Sequence, residues 1–247
     1  MSTDKYLAHS EMRAKGKPLQ KMFNQVPRNY DFLNRLLTLR LDELWRNKAA
    51  KTILKENPST VMDLGTGTGD LAIKLAKRNQ YINVTGYDFS QAMLEVAKEK
   101  ANKSSLTNVS FIEGDAAAMP FENNHFDVVG ISFAFRNITF KNPNTHLYLK
   151  EVLRVLKPGG KFIIVESSQP KNKIIRNLFH AYLHFLVSGI GGNISESKGA
   201  YHYLAYSAKN FYFPEELKAL LLEHGFDKID HKPMFLGAAA LTIAKKP

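Results

Sequence analysis

The chain has no cysteine among its 247 residues. That removes a disulfide framework and any thiolate metal site. It also excludes every mechanism with a cysteine nucleophile, including the covalent route that methylates C5 of pyrimidines. Long apolar runs are missing too. The longest stretch free of Asp, Glu, Lys and Arg runs from Asn177 to Ser195, and it contains His180, His184, Ser188, Gly189, Gly191 and Gly192. Such a stretch reads poorly as a membrane span. No leader-type apolar core stands in the polar opening MSTDKYLAHSEMRAKGKP, so a cytoplasmic chain is expected.

Negative charge is the scarcer sign: 23 Asp and Glu stand against 34 Lys and Arg, a net charge of +11. This balance fits an acidic partner (nucleic acid, anionic lipid or a phosphorylated ligand) or, equally, a solvated basic surface. Hydrophobic residues at 44% and charged residues at 23% are ordinary for a globular domain long enough to bury its own core.

The pattern changes once along the chain. From Leu19 to Leu54, apolar residues Phe32, Leu33, Leu36, Leu37, Leu41, Leu44 and Trp45 recur at threes and fours, which predicts helices ended by Asn57-Pro58. From Thr60 onward short apolar runs alternate with amphipathic segments. Strands are expected at Val61–Leu64, Ile82–Tyr87, Val109–Ile112, Val128–Ser132 and Lys161–Val165, with helices at Asp70–Arg78, Gln91–Ala101 and Leu147–Leu156. That alternation predicts parallel βαβ units with right-handed crossovers. Lys157-Pro158-Gly159-Gly160 reads as a turn feeding the fifth strand. A helix over Ile174–Val187, a glycine-rich loop at Gly189–Gly192, a helix at Pro214–His224 and closing strands at Phe226–Ile229 and Ala238–Ala244 complete one domain. Its expected parts are a helical lid (1–57), a core (58–170), a helical insertion (171–213) and a closing helix with strands (214–247).

The sharpest local feature is Val61-Met62-Asp63-Leu64-Gly65-Thr66-Gly67-Thr68-Gly69-Asp70, a strand running through a glycine-rich turn into a helix. Glycines let the backbone turn tightly and approach a ligand closely, and the helix N-terminus can hold a carboxylate. Asp88 ends the next strand, about 20 residues beyond the glycines, where a carboxylate can accept both ribose hydroxyls. Asp63, Gly65, Gly67 and Asp88 are therefore expected at a nucleoside cofactor. The spacing of Gly65, Gly67 and Gly69 is not the G-x-G-x-x-G of dehydrogenases. It resembles the G-x-G-x-G of S-adenosylmethionine-dependent methyltransferases, whose Rossmann-like fold has a mostly parallel seven-stranded sheet flanked by helices. Gly114-Asp115-Ala116 after strand three, Asp127 in strand four and Pro158-Gly159-Gly160 before strand five follow that class in order.

Three further stretches carry a narrower likeness. Tyr30-Asp31-Phe32-Leu33-Asn34 with Trp45-Arg46, Ser132-Phe133-Ala134-Phe135-Arg136-Asn137, and Tyr201-x-Tyr203-Leu204-x-x-Ser207 with Phe213-Pro214 resemble motifs of the ubiquinone/menaquinone biosynthesis C-methyltransferase family. The likeness covers Phe23 to the C-terminus. It implies methylation of a ring carbon of a polyprenylated quinol in ubiquinone or menaquinone assembly; the basic, compact chain with no organelle-type leader leans toward a naphthoquinol such as demethylmenaquinol. It also implies cofactor contacts at Thr68, Asp88, Asp115, Ala116 and Ser132, with Arg136 and Asn137 facing the substrate beneath Tyr30 on a lid. Ala134 stands where the family usually has glycine, Glu166-Ser167-Ser168-Gln169-Pro170 departs from E-F-S-x-P, and the usual histidine after Leu236 is absent.

Methyl transfer from a sulfonium is an in-line displacement, and only the reduced quinol is electron-rich enough to attack. A permanently charged, forked guanidinium suits stabilisation of the phenolate, which marks Arg136 for an electrostatic role. Asn137 and Tyr30 would order a water that carries the proton away. A rival reading ties Arg136 to Asp31 or Glu166 as a loop anchor. The segment Ile174–Val187 fits a prenyl channel, a peripheral membrane contact or a buried core helix. His180 and His184 lie one turn apart without an evident third ligand, so no metal is expected. No nucleic acid is expected either, because the chain lacks the Asn-Pro-Pro-Tyr and Asp-Pro-Pro-Tyr tetrapeptides of base amino-group methylases. An O- or N-methyltransferase of another small molecule and a non-catalytic cofactor-binding subunit remain the alternatives. A homodimer is compatible with all of them.

Overall fold

In the computed structural model, apolar runs and amphipathic segments take the places their periods dictate; residues 35, 38–185 and 198–247 are described. In chain order the elements are α1 (Leu41–Leu54), β1 (Thr60–Leu64), α2 (Asp70–Arg78), β2 (Asn83–Asp88), α3 (Gln91–Lys103), β3 (Val109–Glu113), β4 (Phe126–Ser132), α4 (Phe135–Thr139), α5 (Thr145–Val155) and β5 (Leu156–Ser167). There follow α6 (Lys173–Tyr182), α7 (Lys198–Lys209), α8 (Pro214–Glu223), β6 (Asp227–Met234), a 3-10 turn at Phe235–Gly237 and β7 (Ala239–Lys245). The part of the helical pattern before Thr38, apart from Arg35, and the loop Gly189–Gly192 lie outside the described residues.

The seven strands form one sheet in the order β3-β2-β1-β4-β5-β7-β6. Strands β1 to β5 are parallel, and β7 is antiparallel to both its neighbours. Strand order reverses between β1 and β4. In open α/β sheets that reversal leaves a crevice outside the carboxyl ends of the strands, where ligands bind.

Side chains alternate along each strand and so feed two cores, one per face. Met62, Leu64, Val129, Ile131, Phe162 and Ile164 pack with Leu149, Val152, Leu217 and Leu221 of α5 and α8. Val61, Val128, Ile163 and Val165 pack on the other face with Ala49, Ile53, Leu71 and Leu75 of α1 and α2. The central strands β1, β4 and β5 are therefore buried on both sides, as in parallel sheets, while the edge strands β3 and β6 are not.

Two expectations are corrected. The turn at Lys157–Gly160 lies inside the span of β5: Leu156 pairs with Phe126 and Lys161 with Val128, so the extra residues loop out between two paired positions. Gly159 permits this with a left-handed φ of 78°. Nor is α6 a buried core helix, because none of its residues is buried. Among the described residues, no helix is long and apolar enough to cross a membrane.

Candidate active site

All three loop glycines are left-handed, with φ of 65° at Gly65, 53° at Gly67 and 81° at Gly69. Their surroundings differ. A Cβ on Gly65 would stand 2.6 Å from the Cβ of Ala134, and one on Gly69 would stand 2.9 Å from that of Ala97, whereas at Gly67 it would meet nothing within 4 Å. Gly65 and Gly69 are thus required by packing. Gly67 borders open space above the loop.

Asp63 works from beneath. Its Oδ2 accepts hydrogen bonds from Thr66 Oγ1 (2.7 Å) and from the backbone N–H of Ala72 (3.0 Å) in the first turn of α2. One of the N–H groups that the helix N-terminus offers to a ligand carboxylate, that of Ala72, is therefore engaged by the protein's own carboxylate. Burial pushes the Asp63 carboxyl up to about 7 despite those two bonds.

Asp88 closes the loop from above. Its Oδ2 accepts from Gly67 N–H at 2.8 Å and its Oδ1 from Ser90 N–H at 2.9 Å, while burial raises its pKa against these backbone bonds. The turn after β3 leans on the same strand end: Gly114 N–H donates to Asp88 O (2.9 Å), and Tyr87 Oη donates to Asp115 O (3.2 Å). Asp115 Oδ1 accepts from Ala117 N–H at 2.9 Å, and Ala116 packs on the core. Ser132, at the end of β4, has a buried Oγ with no hydrogen-bond partner among the described residues. A buried hydroxyl left so calls for a partner from outside the chain. Thr68 is turned toward α3, its Oγ1 accepting from Lys100 Nζ at 3.1 Å, and that ammonium also bonds Asp70 Oδ1 at 2.7 Å. Open space at Gly67, a fixed carboxylate at Asp88 and the orphaned Ser132 hydroxyl together fit an adenosine-bearing ligand.

Beyond Phe133 lies a cavity of about 390 Å³ with mostly apolar walls, among them Trp45, Phe133, Ile175, Phe179 and Leu236. Arg46, Arg136 and Ser167 are among its polar lining. Arg136 is buried, and its Nη1 donates to Glu166 Oε1 and to Ser167 Oγ (3.4 Å), while its backbone N–H reaches Glu166 Oε2 at 3.2 Å. Glu166, also buried, accepts the N–H of Ser167 at 2.8 Å. The rival reading thus holds in part: Arg136 is tied to Glu166, and it faces the cavity as well. Asn137 Oδ1 accepts from Tyr203 Oη at 3.4 Å. Tyr30 and Asp31 lie outside the described residues.

Other marked residues serve structure. Asp127 lies at the opposite end of the sheet and accepts from the N–H groups of Ser59 and Thr60 (both 2.8 Å), from Thr60 Oγ1 and from Lys157 Nζ (2.6 Å). Burial opposes the charge, but Lys157 and the two N–H groups prevail and hold the carboxyl down to about 2. His180 Nε2 pairs with Gln169 Oε1 at 2.9 Å. Among the described residues, no three His, Asp or Glu are grouped to hold a metal ion. Sequence reasoning missed the cavity walls contributed by Trp45 on α1 and by Phe235 and Leu236 in the 3-10 turn, two elements far apart in the chain that share no local period.

The comparisons agree with this geometry. The family model described as the ubiE/COQ5 methyltransferase family matches residues 11–246. A demethylmenaquinone methyltransferase of Thermus thermophilus is 38% identical over 226 residues, covering 92% of this chain and 100% of that protein. Another protein of that name, from Chlorobaculum tepidum, is 38% identical and covered in full along with this chain. The crystal structure of a SAM-dependent methyltransferase from Aquifex aeolicus superposes with a TM-score of 0.56 at 20% identity, over 79% of this chain and 88% of that one, and shares the fold. With its glycine crevice, its ordered carboxylates and near-complete coverage by these relatives, the chain belongs to the ubiE/COQ5 methyltransferase family.

Proposed function

We propose that this enzyme transfers the methyl group of S-adenosylmethionine to a ring carbon of a polyprenylated quinol, converting demethylmenaquinol to menaquinol. The observation that carries this reading is the large apolar cavity next to the glycine crevice, with the buried guanidinium of Arg136 in its wall. An apolar ring needs such walls, and a phenolate within them needs a fixed positive charge. The names of the relatives point to the same substrate class.

The donor, when bound, supplies an electrophilic methyl group. In this reading Asp88 accepts the ribose hydroxyls, with Asp115, Ala116 and Ser132 around the adenine and Gly65, Gly67 and Thr68 forming the loop beneath. Holding both reactants in line contributes on the order of 7–11 kcal/mol in well-ordered sites. Arg136 stabilises the phenolate and so raises electron density on the neighbouring ring carbon. Its pKa, above about 12, makes it a poor base. Asn137, with Tyr30, orders the water that takes the ring proton when aromaticity returns. Glu166 keeps Arg136 from swinging away.

The cavity opens through an apolar rim. Leu39 (78% exposed), Leu178 (67%), Phe235 (59%) and Leu236 (72%) all line it and all face solvent. The prenyl tail leaves by this mouth, which rests on the inner face of the membrane. The reading is tested with purified enzyme, labelled donor and demethylmenaquinone in both redox states. Label should enter only the reduced form; labelling of the oxidised form alone, or of neither, refutes it.

A further inference from the structure

The acceptor cavity has mostly apolar walls, yet a hydroxyl stands among them. Ser167 is the last residue of β5 and pairs with Ala239 of β7, and both residues line the cavity. Its backbone N–H donates to Glu166 Oε1 at 2.8 Å, and its Oγ accepts from Arg136 Nη1 at 3.4 Å. A serine hydroxyl has one proton to give. With the oxygen turned to the guanidinium, that proton points away from Arg136, and among the described residues no acceptor takes it. Other polar groups of the wall are held in pairs: Thr38 Oγ1 donates to Asp42 Oδ1 at 2.7 Å, Arg46 pairs with Asp42, and Arg136 pairs with Glu166. Position 167 is also where the chain parts from the family's E-F-S-x-P, so this hydroxyl belongs to the chain and not to the family pattern.

We infer that Ser167 is a catalytic residue whose hydroxyl donates a hydrogen bond to the ring oxygen that becomes the phenolate. The inference rests on the quinol reading of this cavity and adds to it the group that touches the oxygen. Oγ and Nη1 lie 3.4 Å apart, so both groups can flank one oxygen atom, whereas the two oxygens on opposite sides of a quinol ring stand too far apart for this pair. The guanidinium draws electron density from Oγ and makes its O–H a stronger donor, as linked hydrogen bonds polarise one another. An oxyanion gains more from such a donor than a neutral phenol does, so the bond favours ionisation. Electron density then rises on the neighbouring ring carbon that attacks the methyl group. Ser167 keeps its own proton throughout and serves as a donor, not as a base. Its place at the end of a paired strand fixes the hydroxyl more tightly than a loop would.

The test follows methyl transfer by the full chain to demethylmenaquinol over a range of pH, at saturating S-adenosylmethionine. The wild-type rate should rise through the pH at which the bound quinol ionises. Ser167→Ala removes one atom from a strand end. It should lower kcat about 10- to 100-fold below that pH and move the rise up by about one to two pH units, as loss of a hydrogen bond to a charged group implies. Affinity for S-adenosylhomocysteine, read by calorimetry, should stay at the wild-type value, as should KM for the quinol. Ser167→Thr keeps the hydroxyl and should restore most of the rate. If Ser167→Ala leaves kcat and the pH profile unchanged, with or without a higher KM, the serine is merely wall and the inference is overturned. A threonine variant as slow as the alanine one overturns it as well. Failure of wild type to methylate the quinol would instead remove the reading on which the inference rests.

Discussion

Gly65 and Gly67 share a left-handed backbone but face different neighbours, so alanine at each should fail in a different way. At either position a Cβ in the left-handed region costs roughly 1–2 kcal/mol. At Gly65 the new atom also sits 2.6 Å from Ala134 Cβ, well inside the ordinary contact distance, and overpacking of this kind adds about 1–3 kcal/mol. Gly65→Ala should therefore lose about 2–5 kcal/mol of unfolding free energy in urea. Adding Ala134→Gly removes the colliding atom, so the double variant should recover the overlap cost and retain only the backbone cost. Gly67→Ala meets no protein atom within 4 Å, so its stability loss should stay near the backbone cost alone. Its methyl group instead enters the space where the donor approaches Asp88, and affinity for S-adenosylhomocysteine should fall at least about tenfold, or about 1.4 kcal/mol. Urea unfolding and calorimetry on these three variants and on Ala134→Gly alone separate these outcomes. A Gly67→Ala protein that binds the ligand as tightly as its parent refutes the reasoning about the open loop. Additive losses at 65 and 134 refute the reasoning about contact.

Further outcomes follow from the same geometry. Arg136→Lys keeps a charge but loses the fork, so kcat should fall about 10²–10³-fold while affinity for S-adenosylhomocysteine stays near wild type; equal losses in both would argue against an electrostatic role. Leu236→Glu at the cavity mouth should raise KM for a long-tailed quinol and spare a short-tailed analogue, and identical changes for both would remove the rim from the tail's path. Two carboxylates should give opposite slopes of stability with pH. Asp127, held down to about 2, stabilises above the ordinary carboxylate range and loses that contribution as pH falls through about 2. Asp63, raised to about 7, keeps its proton in the folded state, so its contribution declines as pH rises from the ordinary carboxylate range to about 7. Unfolding titrations of Asp127→Asn and Asp63→Asn should each abolish the matching slope and leave the other.

Legibility of the sequence tracked the range of the interactions involved. Helix α2 begins and ends where its glycine turn and amphipathic period place it, because Asp70, Leu71 and Leu75 answer to local rules. The central strands β1, β4 and β5 were found for the same reason, each carrying a short apolar stretch buried on both faces, whereas the polar edge strand β6 runs on to Met234, beyond the expected Phe226–Ile229. Asp88 was reachable because its strand end and the glycine spacing set its distance along the chain, and Ser132 was marked by the family resemblance alone. The engagement of the α2 N-terminus by Asp63 was not legible, since a carboxylate in a strand gives no sign of whether it points into a turn or toward a ligand. The exposed Phe235-Leu236 pair was unreadable too. Both residues hold left-handed φ values (44° and 56°) to project from a tight turn between antiparallel strands, against the ordinary preference of bulky side chains. The cavity depends on Trp45, Phe133, α6 and that turn meeting in space, and no window of sequence contains all four.

The most direct test lies in the product. Purified enzyme given reduced demethylmenaquinone and labelled donor should yield a single product whose new methyl group sits on the ring carbon, identified by nuclear magnetic resonance and by co-migration with menaquinone after oxidation. A methyl group on a quinol oxygen would contradict a site built to stabilise a carbon nucleophile through its phenolate.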